Sequence, residues 1–155
     1  MSGNMKSMPI VTIQLLFFLF SRLPSYHPTQ MAAVLEPLTM FIVVRKDLAK
    51  KLEWPTGSVM TQACHAATAI LHITREDEST KEYLSDLDNM HKVVLETKNE
   101  GSLEKLAAIL TEHQVPHKKW IEQPENIPTA LATAPLRSRS PEVLEAFKKC
   151  CSLYR

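Results

Sequence analysis

Ser58, Gln62 and His65 lie along the stretch Gly57–Thr74, Gly-Ser-Val-Met-Thr-Gln-Ala-Cys-His-Ala-Ala-Thr-Ala-Ile-Leu-His-Ile-Thr. On a helix, at about 100° per residue, they share one face with Thr61, Thr68 and His72. Val59, Met60, Ala63, Cys64, Ala66, Ala67, Ile70, Leu71 and Ile73 form the broad apolar face opposite. Most surface helices carry Lys and Glu on the polar side. This one carries hydroxyls, an amide and two imidazoles, and its first charge is Arg75. Such groups donate and accept hydrogen bonds without fixed charge, and an imidazole changes protonation near neutral pH. Backbone N–H groups at the start of a helix attract anions, so a neutral polar face beside that start suits a lined cleft. An ordinary amphipathic helix with uncharged decoration fits the same pattern.

The elements around this helix follow from the hydrophobic pattern. Met40-Phe41-Ile42-Val43-Val44 is a continuous apolar run ending in Arg45-Lys46-Asp47, which predicts a strand buried on both faces at the centre of a partly parallel sheet. A loop, Leu48 to Gly57, then leads into the helix, and strand, loop and helix N-terminus together make the ligand-facing end of an α/β unit. Glu76 to Asp88 predicts a short outer helix with Tyr83, Leu84 and Leu87 as its apolar contacts. His91–Glu96 is the second strand. Gly101-Ser102 opens a helix capped by Ser102, with Leu103, Leu106, Ala107 and Leu110 on one face. His117–Glu122 and Thr129–Thr133 are the third and fourth strands, joined by Gln123–Pro128. Ser140 caps the last helix, with Pro141 at its first position. This order predicts a three-layer α/β/α domain with a four-stranded mixed sheet over residues 38–155.

Composition narrows the functions available. The chain has 155 residues, with 18 Lys and Arg against 17 Asp and Glu. Residues 1–30 hold Lys6 and Arg22 and no acid, so the remainder is close to neutral and a nucleic-acid partner needs a local basic patch. The three cysteines, Cys64, Cys150 and Cys151, are odd in number and two are adjacent, which fits a reducing, cytoplasmic setting rather than a disulfide framework. No CxxC or HExxH spacing occurs, so neither a metal nor another cofactor is expected. The glycines stand only at 3, 57 and 101, which excludes the clustered glycines of phosphate loops and dinucleotide fingerprints. Pro9 to Phe20 is an apolar run shorter than the ~20 residues that span a bilayer. It lacks a clear small-x-small cleavage site after it, and one Lys and one Arg make only a weak mitochondrial leader. Residues 1–30 are therefore expected to be a dispensable extension, with no membrane partner, and Met31 is a plausible start in its own right.

From about Met40 to the C-terminus the chain resembles the archaeal/eukaryotic-type peptidyl-tRNA hydrolases, and most of all their divergent domain-containing branch. Phe-Ile-Val-Val-Arg-Lys-Asp-Leu (41–48), Gln-Ala-Cys-His-Ala-Ala (62–67) and Trp-Ile-Glu-Gln-Pro-Glu-Asn-Ile (120–127) carry the resemblance. It implies a small α/β/α fold that cleaves the ester between a peptide and the tRNA 3′-ribose. Gln62, His65 and Thr129 match family site positions. The family's Gly-Lys at the helix start is here Gly57-Ser58, and its Asp-bearing loop after the third strand is shortened to Gln123–Pro128. Ester hydrolysis needs a group to orient or deprotonate water, donors for the oxyanion and a basic contact for phosphate. Gln62 and Thr129 suit water orientation or oxyanion donation, His65 suits a general base, and Glu122 or Glu125 could replace the missing Asp. Ser58, Lys46, Lys118, Lys119, Arg137 and Arg139 are candidates for substrate binding. The partner implied is peptidyl-tRNA at its acceptor end, with a protein partner or a homodimer as further options. The alternative is a family member that keeps the cleft and binds RNA or protein without turnover.

Overall fold

The computed structural model describes residues 36–155, so the expectations for residues 1–30 and for Met31 lie outside the described residues. β1 (Thr39–Arg45) runs through the middle of the sheet. Its apolar run is buried on both faces, with Met40, Ile42 and Val44 toward one helix layer and Val43 toward the other. β2 (His91–Thr97) lies parallel to β1, in register from Thr39↔His91 to Arg45↔Thr97. On the other side of β1, β4 (Ile127–Thr133) runs antiparallel, and β3 (His117–Glu122) pairs antiparallel outside β4.

The helices cover the two faces. After β1 come α1 (Asp47–Lys50), α2 (Thr56–Ile73), α3 (Glu78–Ser85) and a 3₁₀ turn (Leu87–Asn89). Val59, Ala66 and Ile70 of α2 and Tyr83 of α3 pack on Met40, Ile42, Val44, Ala130 and Ala132. The buried alanines on both sides of that contact let the α2 backbone lie close to β4. α4 (Glu100–Glu112) and α5 (Pro141–Cys150) cover the opposite face, where Leu103, Leu106, Leu110, Val143 and Phe147 surround Val43 and Leu131. Phe41 and Phe147 meet there edge to face at 4.9 Å. The domain is thus α/β with a mixed sheet.

Several elements depart from the sequence reading. The sheet has five strands rather than four, in the order β3-β4-β1-β2-β5, because Cys151–Leu153 (β5) pairs antiparallel with β2. Three residues carry too little pattern to announce a strand. The loop after β1 contains α1, whose Leu48 is fully buried. α4 is capped by Asn99, whose Oδ1 accepts from the Ser102 backbone N–H, so Ser102 lies inside the helix rather than at its cap. In α3 the buried residues are Thr80 and Tyr83, while Leu84 and Leu87 are exposed. On α2, Met60, Cys64 and Ile73 are exposed despite their apolar type, and Gln62 is 1% exposed despite its amide. A helix on a twisted sheet buries a narrower stripe than its polarity pattern suggests, and a buried amide is tolerated where both its ends are bonded.

Candidate active site

Regular alternation along β4 would turn Thr129 away from α2, since Ala130 and Ala132 face that helix. The strand does not alternate regularly there. Trp120 pairs with Ala130 and Ile121 with Pro128, leaving Thr129 as the extra residue of a β-bulge. The bulge re-aims Thr129, whose hydroxyl donates to Gln62 Oε1 at 2.8 Å in a fully buried contact. Gln62 Nε2 in turn donates to the Ser58 carbonyl at 3.2 Å. The start of β4 is thereby bonded to the first turn of α2 through one side-chain amide.

That first turn is open. Pro55 occupies the N-cap position and provides no side-chain hydrogen bond, so the leading amides of α2 lack the usual capping oxygen. A side chain built on Gly57 would meet nothing within 4 Å, and Ser58 is exposed. Two turns of spacing along α2 bring His65 over β3, where its ring stacks on Trp120 with centroids 4.5 Å apart and planes 19° apart. The Trp120 indole N–H donates to Glu122 Oε2 at 2.7 Å. Glu122 is half-buried at the end of β3, whereas Glu125 stands exposed in the turn before Asn126, whose φ is 56°. Gln62, Thr129, Ser58, His65 and Glu122 therefore lie along α2 and the two strands beneath it; Glu125 makes no contact with them in the hydrogen-bond network.

The five cations do not form the basic patch expected of them. Lys46 is bonded to the buried carboxylate of Glu96. Alternation in β3 puts Lys118 on the α2 side with Trp120 and sends Lys119 to the other face, where it grips Glu104 at 2.6 and 2.7 Å. Arg137 is paired with Glu82 and donates to the Glu36 carbonyl at 2.8 Å. Arg139 donates to the Thr39 carbonyl at 2.7 Å and lies 3.7 Å over the Phe41 ring. Burial pushes its pKa down to about 10, which leaves it protonated at neutral pH. Likewise burial, reinforced by Cys150, pushes the Cys151 thiol up to about 12 and leaves it a neutral thiol.

Two participants are absent from the sequence-derived candidates. Trp120 supplies the surface under His65 and the donor to Glu122. Arg45, 5% exposed at the end of β1, touches the strand carrying Thr129. The signal for it was an Arg that directly follows a buried apolar run, with an acid two positions later, since a buried guanidinium requires partners.

Comparison with known proteins bears on the family of the chain. Residues 38–149 match the sequence profile of the family described as peptidyl-tRNA hydrolase PTH2. A mouse protein named "Putative peptidyl-tRNA hydrolase PTRHD1" is 45% identical over 113 residues, covering 72% of this chain and 79% of its own. The human protein of the same name is 46% identical over 99 residues, covering 63% of this chain and 71% of its own.

Proposed function

The chain belongs to the peptidyl-tRNA hydrolase PTH2 family, and on that footing we propose that it hydrolyses the ester between a peptide and the 3′-ribose of tRNA. The observation that carries this reading is the Thr129–Gln62–Ser58 chain of hydrogen bonds beneath an uncapped helix start. The scissile carbonyl sits against the free amides of the first turn of α2, which donate to the oxygen as it gains charge. Gln62 and Thr129 hold that turn in place. Water reaches the ester from the His65 side. The imidazole lies two turns, about 10 Å, along α2 from Ser58, so bridging waters carry the proton to it, and the Trp120 stack fixes the ring plane. Glu122, held by the indole N–H, supplies the carboxylate that the shortened loop lacks. The leaving 3′-hydroxyl of the ribose takes the proton back.

A second reading rests on one specific feature. The Gln62 amide is 1% exposed, the Thr129 side chain is fully buried, and both are bonded internally. A protein that only binds the acceptor end needs nothing more from them than rigidity. Single-turnover cleavage of N-acetyl-aminoacyl-tRNA by the full chain separates the two. A hydrolase releases the acyl group, and His65→Ala and Glu122→Gln each slow the release by about 10²- to 10⁴-fold. Retention of labelled tRNA without release supports the binding reading instead.

A further inference from the structure

We propose that Arg45 is a positioning residue for this site, acting through the backbone of the β4 bulge; the proposal rests on the hydrolase reading above. A bulge leaves main-chain groups without ladder partners, and pairing between β1 and β4 extends only as far as Val44↔Ala130. The carbonyl of Pro128, just beyond, is taken instead by Arg45 Nη1 at 2.7 Å. The guanidinium is itself held on three sides. Asp47 accepts from Nε and Nη2 at 3.0 and 2.9 Å, a bidentate fork, and Glu100 accepts from Nη1 at 2.8 Å. Burial by itself would lower the pKa of Arg45, but its bonds and charge contacts with Asp47 and Glu100 leave it raised, so the charge is permanent.

The contacts join into one path. Arg45 grips the Pro128 carbonyl, the next residue Thr129 donates to Gln62, and Gln62 donates to the carbonyl of Ser58. Arg45 also ties the start of α1 and the first turn of α4 to the same point, so three elements fix the bulge. Lysine cannot reproduce this: its ammonium is a point charge without the planar fork that meets Asp47, Glu100 and Pro128 together. A displaced bulge shifts the Thr129 hydroxyl, and with it the helix turn that faces the ester.

The test is a double-mutant cycle on the full chain with N-acetyl-aminoacyl-tRNA, measuring kcat and KM separately. Arg45→Lys is expected to lower kcat about 10- to 100-fold with KM little changed, because displacement near 1 Å costs on that order. In a Thr129→Ala background, Arg45→Lys should lower kcat no further, since its effect passes through Thr129. Multiplicative losses would overturn the proposal, and so would a fall in kcat that vanishes once rates are normalised to the folded fraction, since unfolding lowers apparent kcat and leaves KM unchanged. Glu100→Gln changes a half-exposed partner, so it tests the same path should Arg45→Lys fail to fold. It should lower kcat, and again only while Thr129 is present. The ¹³C shift of the Thr129 methyl provides a readout independent of turnover. It should move in Arg45→Lys and Glu100→Gln but not in Arg75→Lys, and an unmoved signal overturns the proposal. A parent protein that does not cleave the ester defeats the hydrolase reading alone and leaves the methyl measurement to decide the role of Arg45.

Discussion

Thr129→Val keeps the shape of a buried side chain and removes the donor to Gln62 Oε1. The amide oxygen is then buried without its partner, which costs about 1–3 kcal/mol. Thr129→Ser retains the hydroxyl and should recover most of the loss. Denaturant midpoints at an unchanged m-value check both, and equal stability of the parent and the valine variant would contradict the role given to this bond. Trp120→Phe separates two roles in the same way: it keeps an aromatic surface under His65 and deletes the N–H that holds Glu122. Its kcat should fall part of the way toward that of Glu122→Gln, as seen in single-turnover rates. At this scale the sequence is informative about identity and less so about contact. Gln62 and Thr129 are visible as candidates, but their burial is not, because an amide at the edge of an apolar stripe reads as exposed. Arg45 reads as a strand-end cation, and only its proximity to Asp47, Glu100 and the Pro128 carbonyl gives it a different part.

The longer helices and the four longer strands are legible, most clearly where a run of apolar residues marks them, as in Met40–Val44 or Leu103–Leu110, whereas the four residues of α1 are too few to show a period. Irregular features escape that pattern. The β4 bulge depends on how Pro128 and Thr129 meet Trp120 and Ile121 across the ladder, a relation between distant segments that no local window contains. β5 is too short to alternate, and the cap of α4 sits three residues before the serine that resembles one. The last point yields a direct comparison. Asn99→Ala should cost about 0.5–2 kcal/mol, seen as a drop of several degrees in Tm, because the Ser102 amide loses its acceptor. Ser102→Ala should cost clearly less, since its hydroxyl only shares the same Asn99 oxygen. The reverse order would return the cap to Ser102.

Across the whole domain, the parallel β1–β2 pair places the start of α2, the Arg45 cluster and the Lys46–Glu96 pair at one end of the sheet, the carboxyl end where α/β proteins bind ligands. That strand order is not written in any one segment; it follows from which faces the helices can cover. One acid-dependent contribution to folding comes from this end. Burial alone would raise the Glu96 carboxyl, but bonds from Lys46, the Arg155 backbone and Ser152 hold it below its ordinary 4.5. The unfolded chain then takes up the proton first as pH falls, so this contribution is present above that ordinary value and is lost with acidification toward the lower folded pKa. Tm measured from neutral pH down through the carboxylate range should fall less steeply for Glu96→Gln than for the parent. The central claim, ester hydrolysis at the open start of α2, is tested most directly by putting a cation there. Ser58 is exposed, so Ser58→Lys costs only about 0.3–1 kcal/mol against the helix dipole. A charge beside a developing oxyanion is worth about 2–4 kcal/mol, or roughly 30- to 1,000-fold in rate. In single-turnover cleavage of N-acetyl-aminoacyl-tRNA, the parent should cleave slowly and Ser58→Lys faster by a factor in that range. No cleavage by either protein, with tRNA bound more tightly by the lysine variant, would contradict the claim.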